Sequence, residues 1–162
     1  MTIQFTPSIA YQVTYQGLFI SLGGGNRVAI SIYSGSVPSA ATVAASWSSY
    51  NSSNSNFLIH YSGISTGGIW TVPTSGSGPG TLCQLTTLPT AQTAINSGTA
   101  SWAIVWCSNV LTVSGTTLPA ANFFVVSVSN STGSGVIRFS STSITSGTSY
   151  TIQDGSFGTT SP

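Results

Sequence analysis

The chain offers few side chains able to do acid–base, nucleophilic or metal chemistry, and their identities limit the reactions open to it. Its charged residues are Arg27, Arg138 and Asp154, and His60 is its one histidine. Glycoside hydrolysis by paired carboxyl groups needs two acids flanking the scissile bond, and Asp154 is a single acid. A serine triad needs a base and an orienting acid; His60 and Asp154 supply one of each, and serines abound. The stretch Gly63-Ile64-Ser65-Thr66-Gly67 matches the GxSxG pattern of a nucleophile elbow. That motif works only on a strand–turn–helix, whereas Gly68-Ile69-Trp70-Thr71-Val72-Pro73 reads as a strand. The order His60, Ser65, Asp154 also departs from the Ser, acid, His order of that fold. His60, between Ile59 and Tyr61 in an alternating run, reads as a hydrogen-bonded or rim histidine. The expectation is a non-enzyme with no catalytic residue.

Metal and cofactor sites are not expected either. Cys83 and Cys107 lack CxxC or His-rich spacing. Cys107 ends a strand-like run, which favours a buried free thiol, with a Cys83–Cys107 disulfide as the alternative. Gly23-Gly24-Gly25 is followed by neither the Lys-Ser/Thr of a phosphate loop nor a helix signal, so it reads as a wide turn. Asn51-Ser-Ser53 and Asn130-Ser-Thr132 match the glycosylation sequon, as chance allows in a chain so rich in Ser and Thr.

The elements that must position these residues are reached through composition. The chain has 162 residues, 40% of them hydrophobic and 10% aromatic, which fits one globular domain over 1–162. Only 2% of residues are charged, against about 25% in ordinary soluble domains. Ser and Thr fill a third of the chain and supply the missing polarity. A net charge of +1 gives little mutual repulsion, so copies are expected to self-associate. Two readings of the missing charge stand: a surface covered by partners, where charges would cost desolvation, or compositional drift with Ser, Thr, Asn and Gln solvating the fold. The absence of a basic patch argues against nucleic acid and anionic membranes as partners. The longest apolar runs, Trp102 to Cys107 and Phe123 to Val126, are far too short for a helical membrane span. Met1 to Pro7 has no basic stretch leading into an apolar one, so cytoplasmic synthesis without a cleaved signal is expected.

Runs rich in β-branched and aromatic residues recur between Gly, Ser, Asn and Pro clusters. Strands are expected near 11–15, 18–22, 27–33, 57–61, 69–72, 81–86, 101–107, 110–113, 123–129, 136–140 and 149–153. In 27–33 Val28, Ile30 and Ile32 share one face; Arg27, Ala29 and Ser31 share the other. In 101–107 both faces are apolar, Trp102, Ile104 and Trp106 on one and Ala103, Val105 and Cys107 on the other, which predicts a central strand packed on two sides. One short helix is expected near 39–47, capped by Ser39. Residues 51–56 and 74–80 read as loops, and Gly133-Ser-Gly135 and Asp154-Gly155 as turns. The expected fold is all-β: a single-domain antiparallel β-sandwich or jelly roll of about ten short strands. Residues 1–10 are a candidate extended arm, able to add a strand to a neighbouring subunit.

Arg27, Arg138 and Asp154 are the candidate interface or ion-pair residues. An Arg138–Asp154 pair across neighbouring strands is one reading, pairing between subunits a second, and solvent-facing arginines a third. Trp47 and Trp70 are candidate aromatic contacts, either for a sugar-stacking platform or as core.

Val28-Ala-Ile-Ser-Ile-Tyr-Ser-Gly-Ser-Val-Pro-Ser-Ala-Ala41 resembles the "I-x-I-Y-S/T-G-x-x-P-x-x-A" opening of small bacteriophage virion proteins. Ser97-Gly-Thr-Ala-Ser-Trp102, Gly133-Ser-Gly-Val-Ile-Arg-Phe139, Ile144-Thr-Ser-Gly147 and Tyr150-Thr-Ile152 follow in that family's order, so the likeness spans residues 28 to 157. It departs from the pattern in its lack of charge and in its two cysteines. The resemblance implies a β-sandwich building block of a phage particle: a capsid decoration (cement) protein, or alternatively a tail component. It brings no catalytic residues. Its implied partners are further copies of the chain and other virion proteins. The implied location is the virion, assembled in the host cytoplasm. A receptor- or carbohydrate-binding β-sandwich module is the alternative from a different functional class.

Overall fold

The computed structural model describes residues 27–65, 70–71, 82–85, 88–108 and 123–158. Within them the chain is mostly β, with strands β1 (Arg27–Ser34), β2 (Phe57–Ser65), β3 (Trp70–Thr71), β4 (Leu82–Leu85), β5 (Gln92–Thr93), β6 (Gly98–Ser108), β7 (Phe123–Asn130), β8 (Ile137–Phe139), β9 (Ser143–Ile144), β10 (Ser149–Tyr150) and β11 (Asp154–Gly158). The main sheet runs β2-β1-β6-β7-β8-β11 and curls into a half-barrel. The short β4 and β3 continue its path beyond β11, β9 pairs with the start of β6, and β5 and β10 form a small separate ribbon. The expected strands at 11–15, 18–22 and 110–113, the arm at 1–10 and the loops at 23–25 and 74–80 lie outside the described residues.

Strand β6 is central, pairing with β1 on one side and β7 on the other. Its two apolar faces explain that place. Ala103 and Val105 turn into the hollow of the curl with Ile30, Ile32, Ile59, Tyr61, Ile137, Phe139 and Ile152. Trp102 and Ile104 face outward with Ala29 and Tyr33, and there the helix α1 (Ala40–Ala45) and the 3-10 turn Trp47–Ser49 cover them. Four-residue spacing puts Val43 and Trp47 on one side of this segment, and both are buried against the sheet. The Ser39 hydroxyl caps α1, accepting from the Thr42 amide at 3.1 Å. Fully burying an Ile or Phe contributes roughly 1.5–3 kcal/mol, so both faces of β6 stabilise the fold.

Among the described residues the pairing is antiparallel except at one place: β8 runs parallel to β7, with Val128 opposite Ile137 and Asn130 opposite Phe139. The wholly antiparallel sheet expected from the sequence is therefore corrected to a mixed one. Parallel neighbours usually need a crossover of a dozen or more residues, but here residues 131–136 suffice because the returning chain lies directly on β7. A Cβ on Gly135 would stand 2.6 Å from the Ser129 amide nitrogen, so only glycine permits this approach. The Gly135 amide donates to Ser129 Oγ at 2.9 Å, and the Val136 amide to Ser127 Oγ at 3.4 Å. Hydroxyls on β7 thus satisfy amides that a longer crossover would hydrogen-bond otherwise.

Asp154-Gly155, expected as a turn, instead opens β11, with Asp154 opposite Arg138 and Gly155 opposite Ile137. The expected strand over 149–153 is shorter than its pattern. Ser149 and Tyr150 pair with β5, after which Ile152 leaves the ladder and enters the core. The loop at 51–56 follows Asx-turn chemistry: Asn51 Oδ1 accepts from the Ser53 amide at 2.8 Å and Asn54 Oδ1 from the Asn56 amide at 2.9 Å.

Candidate functional site

His60 stands on β2, apart from the strands β8 and β11 that carry Arg138 and Asp154. Ser31 on β1 stands opposite His60 on β2, and Ser31 Oγ lies 3.0 Å from His60 Nδ1. Ser31 is 3% exposed, so its hydroxyl is closed to a substrate although a serine–histidine contact exists. Burial lowers the His60 pKa to about 4, because a half-buried imidazole holds a proton less well than one in water. The imidazole is therefore neutral at physiological pH and works as a cross-strand hydrogen-bonding group. The bonded histidine read from the sequence is what stands here; Ser31, its partner, had no signal beyond its place in an alternating run.

Asp154 is engaged elsewhere. Its carboxylate is ion-paired with the Arg138 guanidinium across β11 and β8, with side chains 39% and 26% exposed. Arg27 opens β1, its backbone opposite Ser65 on one side and Ser108 on the other, and β6, β7 and β8 separate its strand from β11. Of the two arginines, the register gives the acid to Arg138.

Ser65 of the GxSxG match is the last residue of β2 and pairs with Arg27. Strand structure resumes at Trp70–Thr71, so the described parts of the motif are extended backbone and not the start of a helix. No group of three or more His, Cys, Asp or Glu able to hold a metal ion occurs among the described residues. Cys83 lies on β4 and Cys107 on β6, strands that are not neighbours in the sheet.

The aromatic candidates divide. Trp47 is 6% exposed and packs on Phe123 with ring centroids 4.7 Å apart. Of the two readings of Trp47, the structure supports the core one, the side chain being drawn in by its spacing from Val43. Trp70 sits by its backbone on β3 opposite Leu85. A tighter aromatic group had no clear sequence signal: Tyr33 stacks on Trp102 at 4.3 Å and 12°, with Tyr50 and Phe57 meeting Tyr33 edge-on. The Tyr33 hydroxyl donates to the Tyr50 carbonyl at 2.8 Å, and Trp102 Nε1 to the Ser34 carbonyl at 3.1 Å. Burial raises the pKa of Tyr33 and of Tyr61, whose hydroxyl donates to the Tyr150 carbonyl, so both phenols stay protonated donors.

No helix among the described residues is long and apolar enough to cross a membrane. Comparison with known proteins finds no matching family model, no matching curated protein and no matching solved structure.

Proposed function

We propose that the chain is a non-enzymatic structural protein of a bacteriophage particle, in the first place a capsid decoration (cement) protein. The observation that carries this reading is the use made of the few ionisable groups. The chain's one acid is bound to Arg138, and its one histidine is half-buried against a closed serine. Among the described residues this arrangement provides cross-strand contacts and brings no base, acid and nucleophile together around a shared opening. The ordered run of blocks resembling small virion proteins supports the same reading. In the structure its first block becomes β1, the turn after it and the capped start of α1. We further read the curled sheet, packed on both faces, as a variant of the sandwich or jelly-roll layout.

In this role the protein acts by surface burial on its neighbours, both further copies of itself and other virion proteins. A chain with no Lys and no Glu suits that work, since charges buried at an interface cost desolvation. Quantitative mass spectrometry of the purified particle tests the assignment. Hundreds of copies per particle are expected for a decoration protein, with earlier loss of integrity on heating when the gene is deleted. A few to some dozens of copies would move the chain to the tail. A monodisperse monomer at high concentration that binds no particle would overturn the reading.

A further inference from the structure

We propose that the Arg138–Asp154 pair is a register lock that selects how the strand β11 joins the sheet. The inference stands independently of the particle in which the protein works. Strand β11 has the sequence Asp154-Gly-Ser-Phe-Gly158, with two glycines and no β-branched residue. Register in a sheet is normally set by hydrophobic alternation, and Gly-rich strands specify it weakly. The strand it joins is short: β8 is Ile137-Arg138-Phe139, with Ile137 and Phe139 buried and Arg138 turned outward. The seam between them consists of Asp154 opposite Arg138, Gly155 opposite Ile137, and the Gln153 amide donating to the Arg138 carbonyl at 2.9 Å. Beyond β11 the sheet continues through β4 and β3, so the register at this seam is inherited by both.

A slip by one residue would bring Gln153 or Gly155 opposite Arg138 and turn every side chain of β11 to the other face. The guanidinium would then lose its partner, and the chain has no second carboxylate side chain to replace it. Both side chains are partly exposed, so the pair adds little to overall stability. Its effect is discriminating: it favours one register over neighbours that backbone hydrogen bonding alone barely separates. Single buried polar groups that fix coiled-coil register act by the same principle.

Amide hydrogen exchange and NMR on the full chain test this, with Asp154→Asn, Arg138→Gln and the charge-exchanged double variant (Arg138→Asp with Asp154→Arg). Each single variant is expected to show a second set of cross-peaks for 154–158 and two- to fivefold faster exchange at Gln153 and Gly155. The exchanged double variant should return both towards wild type. Wild-type protein in about 1 M salt, where the screening length is roughly 3 Å, should move towards the single variants. Amides of Ile30 and Ile104 should not respond. A single set of β11 peaks and unchanged exchange in Asp154→Asn would overturn the proposal. So would equal acceleration at Ile30 and Ile104, which would mark a general stabilising pair. Should a single variant fail to fold, the wild-type salt series decides alone: no salt response at Gln153 and Gly155 refutes the lock.

Discussion

Replacing Gly135 by alanine probes the least conventional feature of the fold, the short parallel crossover from β7 to β8. The new Cβ would stand 2.6 Å from the Ser129 amide nitrogen and 2.8 Å from both Ser129 Oγ and the Val128 carbonyl carbon. Ordinary contact begins at 3.4 Å, so the loop must withdraw by about 0.8 Å (3.4 − 2.6), and two of the three obstructing atoms are backbone. Overpacking of this kind costs about 1–3 kcal/mol. Withdrawal also stretches the 2.9 Å bond from the Gly135 amide to Ser129 Oγ, worth about 1 kcal/mol. The sum is about 2–4 kcal/mol. For a domain of this length, where 1 kcal/mol shifts Tm by about 2–4 °C, the expected fall is roughly 5–15 °C in thermal unfolding followed by circular dichroism. Gly147→Ala is the control: φ there is +80° with nothing within 4 Å of the added Cβ, so only the left-handed backbone cost of about 1–2 kcal/mol applies. A Gly135→Ala protein that melts within 1 °C of wild type would refute the close approach and the crossover built on it.

Three further outcomes are expected. The His60 pKa is about 4 when folded and about 6.5 when unfolded, so the unfolded chain takes up the proton first. Stability from this group is complete above pH 6.5 and is lost as pH falls to 4, by at most about 1.4 kcal/mol per pH unit; urea unfolding across that window should show the slope, and His60→Gln should flatten it. Trp102→Ala removes the Tyr33 stack and the bond to the Ser34 carbonyl and should cost about 3–5 kcal/mol in the same assay. Ser39→Ala deletes the cap of α1 and should cost about 1 kcal/mol, with Ser39→Asp retaining most of it.

What the sequence made legible was the part governed by local pattern. Strands β1, β2, β6 and β7 follow from runs of Val, Ile, Phe and Trp, and the two-faced burial of β6 from the apolar residues on both its sides. The helix start follows from Ser39 after Pro38. What stayed hidden depends on partners far along the chain. The parallel pairing of β8 rests on hydroxyls of Ser127 and Ser129 receiving amides of residues several positions later, and no periodicity announces that. Strands β5 and β9 are two-residue bridges, too short for alternation to register. Asp154-Gly155 carries a turn signature by composition, yet it opens a strand opposite Arg138 and Ile137. Trp47 could be placed in the core only once the helix face was known, because its flanking serines look like loop.

In a chain with so little charge, polar side chains must do locally what ion pairs and hydration do elsewhere. The loops show how. Asn51 Nδ2 donates to the Ser48 carbonyl and Asn54 Nδ2 to the Ser49 carbonyl, both at 2.8 Å. Ser97 Oγ accepts from the Ser146 amide at 2.9 Å, and Ser146 Oγ donates to the Ile95 carbonyl at 2.7 Å. These hydroxyl and amide groups are turned back onto their own backbone, which fixes the loops. Neutral groups already bonded within the chain also lose less on leaving water than a lysine or glutamate would. A surface built this way is inexpensive to cover, which suits the structural role proposed above. The same scarcity leaves strand register in Gly- and Ser-rich segments under-determined, which gives a single ion pair at the β8–β11 seam more influence over structure than its modest energy suggests.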